Sequence, residues 1–120
     1  MFTPYVVERL KEVSSTAGYG NSAYALGKYM DAHHPNHRWP NHQITAMSRG
    51  TLVPQADKQC LMLKEAGLEP ELAVFSFAVD AVCNDKRSTE STRSTFVAAE
   101  AELYERCGVA LGFSRAERPA

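Results

Sequence analysis

Little in this 120-residue chain points to a chemistry, and each shortage excludes a class of protein. No apolar run approaches the roughly 18 residues of a membrane span, so no spanning helix is expected. The opening Met1-Phe2-Thr3-Pro4 lacks the basic-then-apolar order of a secretory signal, and a cytoplasmic location is the expectation that follows. Cys60, Cys83 and Cys107 are odd in number and widely spaced, which implies no disulfide framework. Each falls in a helical pattern, so all three are expected to be buried structural thiols. There is no Gly-rich phosphate loop, no HExxH and no CxxC. Cys60 with His42 would be the Cys–His pair to weigh, but Cys60 falls on an apolar helix pattern. Neither an enzymatic activity nor a cofactor is expected. Excess charge is lacking too: a net charge of −1 argues against a generic binder of polyanions.

The charge that is present is unevenly placed. Residues 28–64 hold five Lys/Arg and two Asp, a net +3, whereas residues 65–120 hold six Lys/Arg and ten Asp/Glu, a net −4. The two halves are therefore expected to face different partners, with nucleic acid toward the first.

Hydrophobic periodicity predicts helices throughout and no strand. Thr3 and Pro4 read as N-cap and first helical residue of a helix with Val6, Val7, Leu10 and Val13 on one face. After the turn 18–22, Asn21 or Ser22 can cap a second helix, whose inner side carries Ala25, Leu26, Tyr29 and Met30. Small Ala25 and Gly27 would let a neighbour approach closely. Residues 31–41 contain Pro35 and Pro40, three histidines and Trp39, the only tryptophan, and read as an ordered loop. Pro40 then starts a short helix with Ile44 and Met47 inward, ended by Gly50. A fourth helix begins at Pro54, with a core stripe of Ala56, Cys60, Leu63 and Ala66 that Leu61 and Met62 widen. A fifth opens at Glu69-Pro70-Glu71 and is lined by Leu72, Phe75, Val79 and Val82. Residues 84–95 read as a polar loop. A sixth helix carries Phe96, Val97, Ala101, Leu103, Tyr104 and Cys107. The tail after Phe113 is charged and expected to fray.

The string Tyr24-Ala25-Leu26-Gly27-Lys28, then Ile44-Thr45-Ala46-Met47-Ser48-Arg49-Gly50, Pro54 and Leu61-Met62-Leu63-Lys64-Glu65-Ala66-Gly67-Leu68-Glu69-Pro70, resembles the phage Cro/C1-type helix-turn-helix repressor family. Residues 68–107 are further similar to small proteins of filamentous phages that carry extra helices after this domain. The resemblance implies an all-α fold: a lambda-repressor-like helix-turn-helix bundle with an enlarged loop before the recognition helix and extra C-terminal helices. It implies a DNA-binding domain at 1–83, with 84–120 a C-terminal helix and tail that can serve dimerisation. The family's turn between these two helices is about four residues. Here the break is much longer. Pro40 also stands where the family prefers a Ser or Thr cap.

Aligned on Ile44, the base-reading residues implied are Asn41, His42, Gln43, Thr45 and Ala46. Asn and Gln can pair bidentately with adenine, and an alanine or threonine methyl can meet that of thymine. Lys28, Arg38, Arg49 and Lys58 are the phosphate partners implied. The function expected is a sequence-specific, phage-type regulator on double-stranded DNA. It is expected to act as a homodimer, with the helix at 90–107 a candidate for the contact. A rival reading is a module that docks on a host protein, such as a polymerase subunit or a defence nuclease. The acidic C-terminal half and near-neutral net charge suit that rival. His33, His34, His37 and His42 have spacings that suit zinc, but only Asp31 lies close in sequence and a proline-broken loop does not fix helical geometry. No metal is expected.

Overall fold

A computed structural model, in which residues 1–115 are described, consists of six α-helices with no strand among those residues. They are α1 (Phe2–Thr16), α2 (Ala23–His33), α3 (Asn41–Ser48), α4 (Ala56–Glu65), α5 (Pro70–Asn84) and α6 (Glu90–Arg106). The chain is an all-α bundle, as the periodicity predicts.

Helix α1 lies at the centre and packs against α2, α3, α4 and α5. Its Val6, Val7 and Leu10 are fully buried beside Leu26, Met30, Ile44, Met47, Met62, Leu63 and Phe77. Phe2 joins them, edge-on to Phe77 at 4.9 Å between centroids. The helix starts earlier than expected. Thr3 does not cap it; Phe2 is already helical, and the backbone N–H groups of Phe2 and Thr3 donate to the carboxylate of Asp80 on α5 at 3.1 and 2.6 Å. A side chain from another helix thus satisfies amide groups that a helix start leaves open.

Other boundaries move for local reasons. Ser22 is the cap of α2, its hydroxyl accepting from the Ala25 N–H at 3.0 Å. That helix runs on through His33, so the break before α3 is residues 34–40 rather than 31–41. Pro35 is what stops it. Pro54 is buried ahead of α4 instead of opening it, and Gln55 is the N-cap. Helix α6 begins at Glu90, capped by Thr89 through the Thr92 N–H, six residues before its first large apolar side chain. Its first turns are exposed and carry no hydrophobic signal.

The stripes of α4 and α5 keep part of what the periodicity predicts and lose the rest. On α4 Met62 and Leu63 are buried, as is Ala66 at its C-cap, while Ala56 and Cys60 are exposed. On α5 Leu72 and Val79 are buried as predicted, Ala73, Ser76 and Phe77 are buried besides them, and Val82 and Phe75 are half-buried, Phe75 stacked on Phe96 of α6 at 6.3 Å. Helix α5 is covered from two sides, by α1 and α4 and by α6, so a single-stripe pattern does not describe it. The expectation of buried cysteines is corrected: Cys60 and Cys107 are exposed and Cys83 is half-buried. Cys60 lies off the α4 stripe, and Cys107 is the C-cap of α6, past its last buried residue.

Helix α6 packs on α5 alone. Its buried residues are Glu100 and Tyr104, and the Tyr104 and Ser76 hydroxyls share a hydrogen bond of 2.7 Å. The outermost position of α6 fits a radius of gyration of 14.5 Å, against about 13.6 Å for an average globule of this length.

Candidate nucleic-acid interface

Helices α2 and α3 meet at Gly27. A Cβ there would come within 3.1 Å of the Trp39 carbonyl oxygen and 3.4 Å of Ile44 Cδ1. Any side chain there would push the 34–40 loop or α3 outward by a few tenths of an ångström, so glycine permits the close approach its small size predicts.

The long loop is tied down along its length. Trp39 is buried, its indole N–H donating to the His34 carbonyl at 3.2 Å. His34 Nε2 lies 2.9 Å from Glu65 Oε1, and Glu65 Oε2 accepts the Tyr29 hydroxyl at 2.8 Å. One carboxylate at the end of α4 therefore joins α2 to the start of the loop. Burial first, and then the Glu65 hydrogen bond, push the Tyr29 phenol up to about 12. Further along, His37 Nε2 faces Asp57 at 3.6 Å. The Lys58 ammonium donates to the Arg38 carbonyl and sits 5.1 Å from the centre of the Trp39 ring. The loop is thus a strap laid on α4.

Between this strap, the start of α3 and the start of α4 lies an open depression of about 580 Å³. Arg38, His42, Gln43 and Lys58, four of the residues singled out from sequence, line it together with Asn36, His37, Pro40, Gln55 and Asp57. Pro40 and Gln55 are the N-caps of α3 and α4, and neither supplies a side-chain cap bond. Two helix starts, each with open N–H groups, border the same hollow. That arrangement favours an anion, with Asp57 opposing it.

The remaining residues are spread. Asn41 is exposed at the first turn of α3, next to the depression but not lining it. Thr45 and Ala46 are half-buried further along α3, where the Ala46 carbonyl accepts from the Thr51 hydroxyl. Arg49 is exposed at the C-terminal end of α3, away from His42. Lys28 is exposed on α2, its ammonium 5.3 Å from the Tyr24 ring centre. The histidines do not converge. His33 lies against the Tyr29 ring, while His34 and His37 face Glu65 and Asp57 separately. No group of three His, Cys, Asp or Glu side chains able to hold a metal ion occurs among the described residues.

No family model matches this chain, and no curated protein or solved structure does. The site therefore rests on its own geometry.

Sequence reasoning missed Glu65, Gln55 and Asn36. Glu65 had one signal: it is the last residue of α4, where the helix dipole disfavours an anion. A carboxylate kept there needs donors from elsewhere, and Tyr29 and His34 are those donors. Gln55 and Asn36 carry no signal apart from their neighbours in space.

Proposed function

We propose that this chain is a phage-type, sequence-specific regulator that binds double-stranded DNA through α3 and the strap before it. The observation that carries the reading is the depression where two uncapped helix starts open between Arg38 and Lys58. A phosphate there would receive backbone N–H groups and two cations, which positions a reader on the duplex. His42, Gln43 and exposed Asn41 stand at the first turn of α3, the part of a recognition helix that meets base edges. Thr45 and Ala46 complete the base-reading set. Lys28 and Arg49 are outlying phosphate partners.

The experiment is a binding isotherm on duplex DNA over a range of salt concentrations, after selection of bound sequences from a random pool. A steep fall of affinity with salt and an enriched motif are expected. No enrichment, with no salt dependence, would overturn the reading.

Dimerisation belongs to the same proposal. The outward face of α5 has Val74, Ala78 and Ala81 exposed, and between Glu71 and Asp85 the only charged side chain is buried Asp80. With the outer side of α6, this face would join two copies and so two half-sites. Light scattering on the intact chain tests it. A monomer at tens of micromolar would refute the homodimer. The same uncharged face, with Asp57 in the depression, favours a second reading: a cytoplasmic module docking on a host protein such as a polymerase subunit or a defence nuclease. Retention on heparin separates the two, because only the DNA reader elutes late and shifts strongly with salt.

A further inference from the structure

After α6 the chain turns back and runs to Arg115, touching the start of α1, the middle of α5 and the C-terminal half of α6. Phe113 packs on Phe2, Tyr5 and Tyr104, with centroids 4.9, 5.6 and 6.5 Å away. The Ser114 carbonyl accepts from the Met1 ammonium at 3.2 Å. Arg115 then enters a seat built from two fully buried carboxylates, Asp80 of α5 and Glu100 of α6.

The seat matches a planar fork. Arg115 Nε and Nη2 donate to the two oxygens of Glu100 at 2.8 and 2.6 Å. Nη2 also donates to the Ser76 carbonyl at 2.9 Å, and Nη1 donates to Asp80 Oδ1. Asp80 meanwhile accepts the Phe2 and Thr3 amides and the Thr3 hydroxyl. Glu100 has no other hydrogen-bond partner among the described residues. Two negative charges thus face one guanidinium, and the first turn of α1 supplies part of the remaining compensation. Burial opposes the charge on Arg115, but the hydrogen bonds to Glu100 and Asp80 outweigh it and raise its pKa.

We propose that residues 109–115 are a latch, and that its seat at Asp80 and Glu100 is a receptor selective for a guanidinium group. Closure of the latch ties α6 to the start of α1, two helices that do not otherwise touch. Helix α6 touches only α5, and α1 starts at Asp80. Withdrawal of Arg115 leaves Glu100 buried and unpaired, so the end of α6 and the first turn of α1 loosen together, while α2, α3 and α4 keep their contacts. An ammonium cannot replace the fork, because it offers its donors from a single point.

The test is chemical rescue of Arg115→Ala in the full chain. The variant is expected to melt roughly 10 °C lower, since a buried charge has lost its partner. Millimolar N-ethylguanidinium should restore at least half of that loss, and ethylammonium at equal ionic strength should not. Hydrogen exchange should show protection lost at residues 100–106 and at Phe2–Thr3, and regained with N-ethylguanidinium. Equal rescue by ethylammonium, or no rescue by either, overturns the proposal. Arg115→Lys guards against a variant that does not fold: it keeps the charge without the fork, and melting like the unaltered chain would equally overturn guanidinium selectivity.

Discussion

Gln43 is half-buried at the start of α3 and borders the depression, and its side chain makes no hydrogen bond to the protein among the described residues. A base contact would therefore cost it no existing bond. Gln43→Ala is expected to weaken the selected site by roughly 1–3 kcal/mol and random DNA hardly at all. Equal losses in the two isotherms would remove Gln43 from sequence reading. Tyr29 gives a pH-dependent expectation. Its phenol is raised from 10.0 to about 12 by burial and by Glu65, so the folded state holds the proton more tightly than the unfolded chain. The stabilisation is complete below about pH 10 and is lost as pH rises through about 12. Urea midpoints at pH 9 and pH 11 should therefore diverge less in Tyr29→Phe than in the unaltered chain. Ser14 is fully buried on α1 and its hydroxyl has no protein partner. Ser14→Ala should raise stability by about 1 kcal/mol, from relief of the unpaired group and better helix propensity. A lower denaturation midpoint would contradict this. At this scale the sequence discloses what depends on neighbours in the chain, such as Gly27, Ile44 and the Ser22 cap. Asp80, Glu100 and Glu65 read as ordinary surface acids, because their partners lie 15 to 78 residues away.

The helices themselves were legible, and their phases less so. Short-range periodicity places α1 to α5 to within a few residues. It fails at the polar start of α6 and on α5, where a helix covered on two faces has no single stripe. The 34–40 loop was legible as an ordered break from its two prolines and Trp39. Its attachment to α4 was not, since His34–Glu65 and Lys58–Arg38 join residues 31 and 20 positions apart. Trp39 is the side chain that makes this strap part of the core. Trp39→Ala should cost about 3 kcal/mol in denaturant unfolding, with a parallel loss of DNA binding because α3 is no longer held against Gly27. Unchanged stability would show that the strap is held by its ion pairs alone.

For the whole molecule, residues 84–115 are bonded into the rest of the bundle. Tyr104, Glu100 and Arg115 complete a polar cluster that reaches Ser76, Asp80 and the start of α1. Truncation after residue 87 is therefore expected to abolish cooperative thermal unfolding rather than leave a folded monomer. A fragment with a sharp transition near that of the full chain would refute this. The expectation that the tail frays holds for neither Ser114 nor Arg115, which are bonded; the rest of that tail, 116–120, lies outside the described residues.

The contact between Met1 and Ser114 spans 113 positions, and the Asp80 carboxylate that organises the first turn of α1 is itself held by Arg115. During synthesis at roughly 5–20 residues per second, domains tend to fold from the N-terminal end. Here Met1, Phe2 and Thr3 wait for partners made much later. Helices α2, α3 and α4 can assemble on the middle of α1 as they emerge, but Phe2 and Thr3 find their partner only once Asp80 has followed, and Asp80 gains its own only with residue 115. The first turn of α1 is therefore made early and completed late, and a nascent copy holds it open while the later helices are still being added.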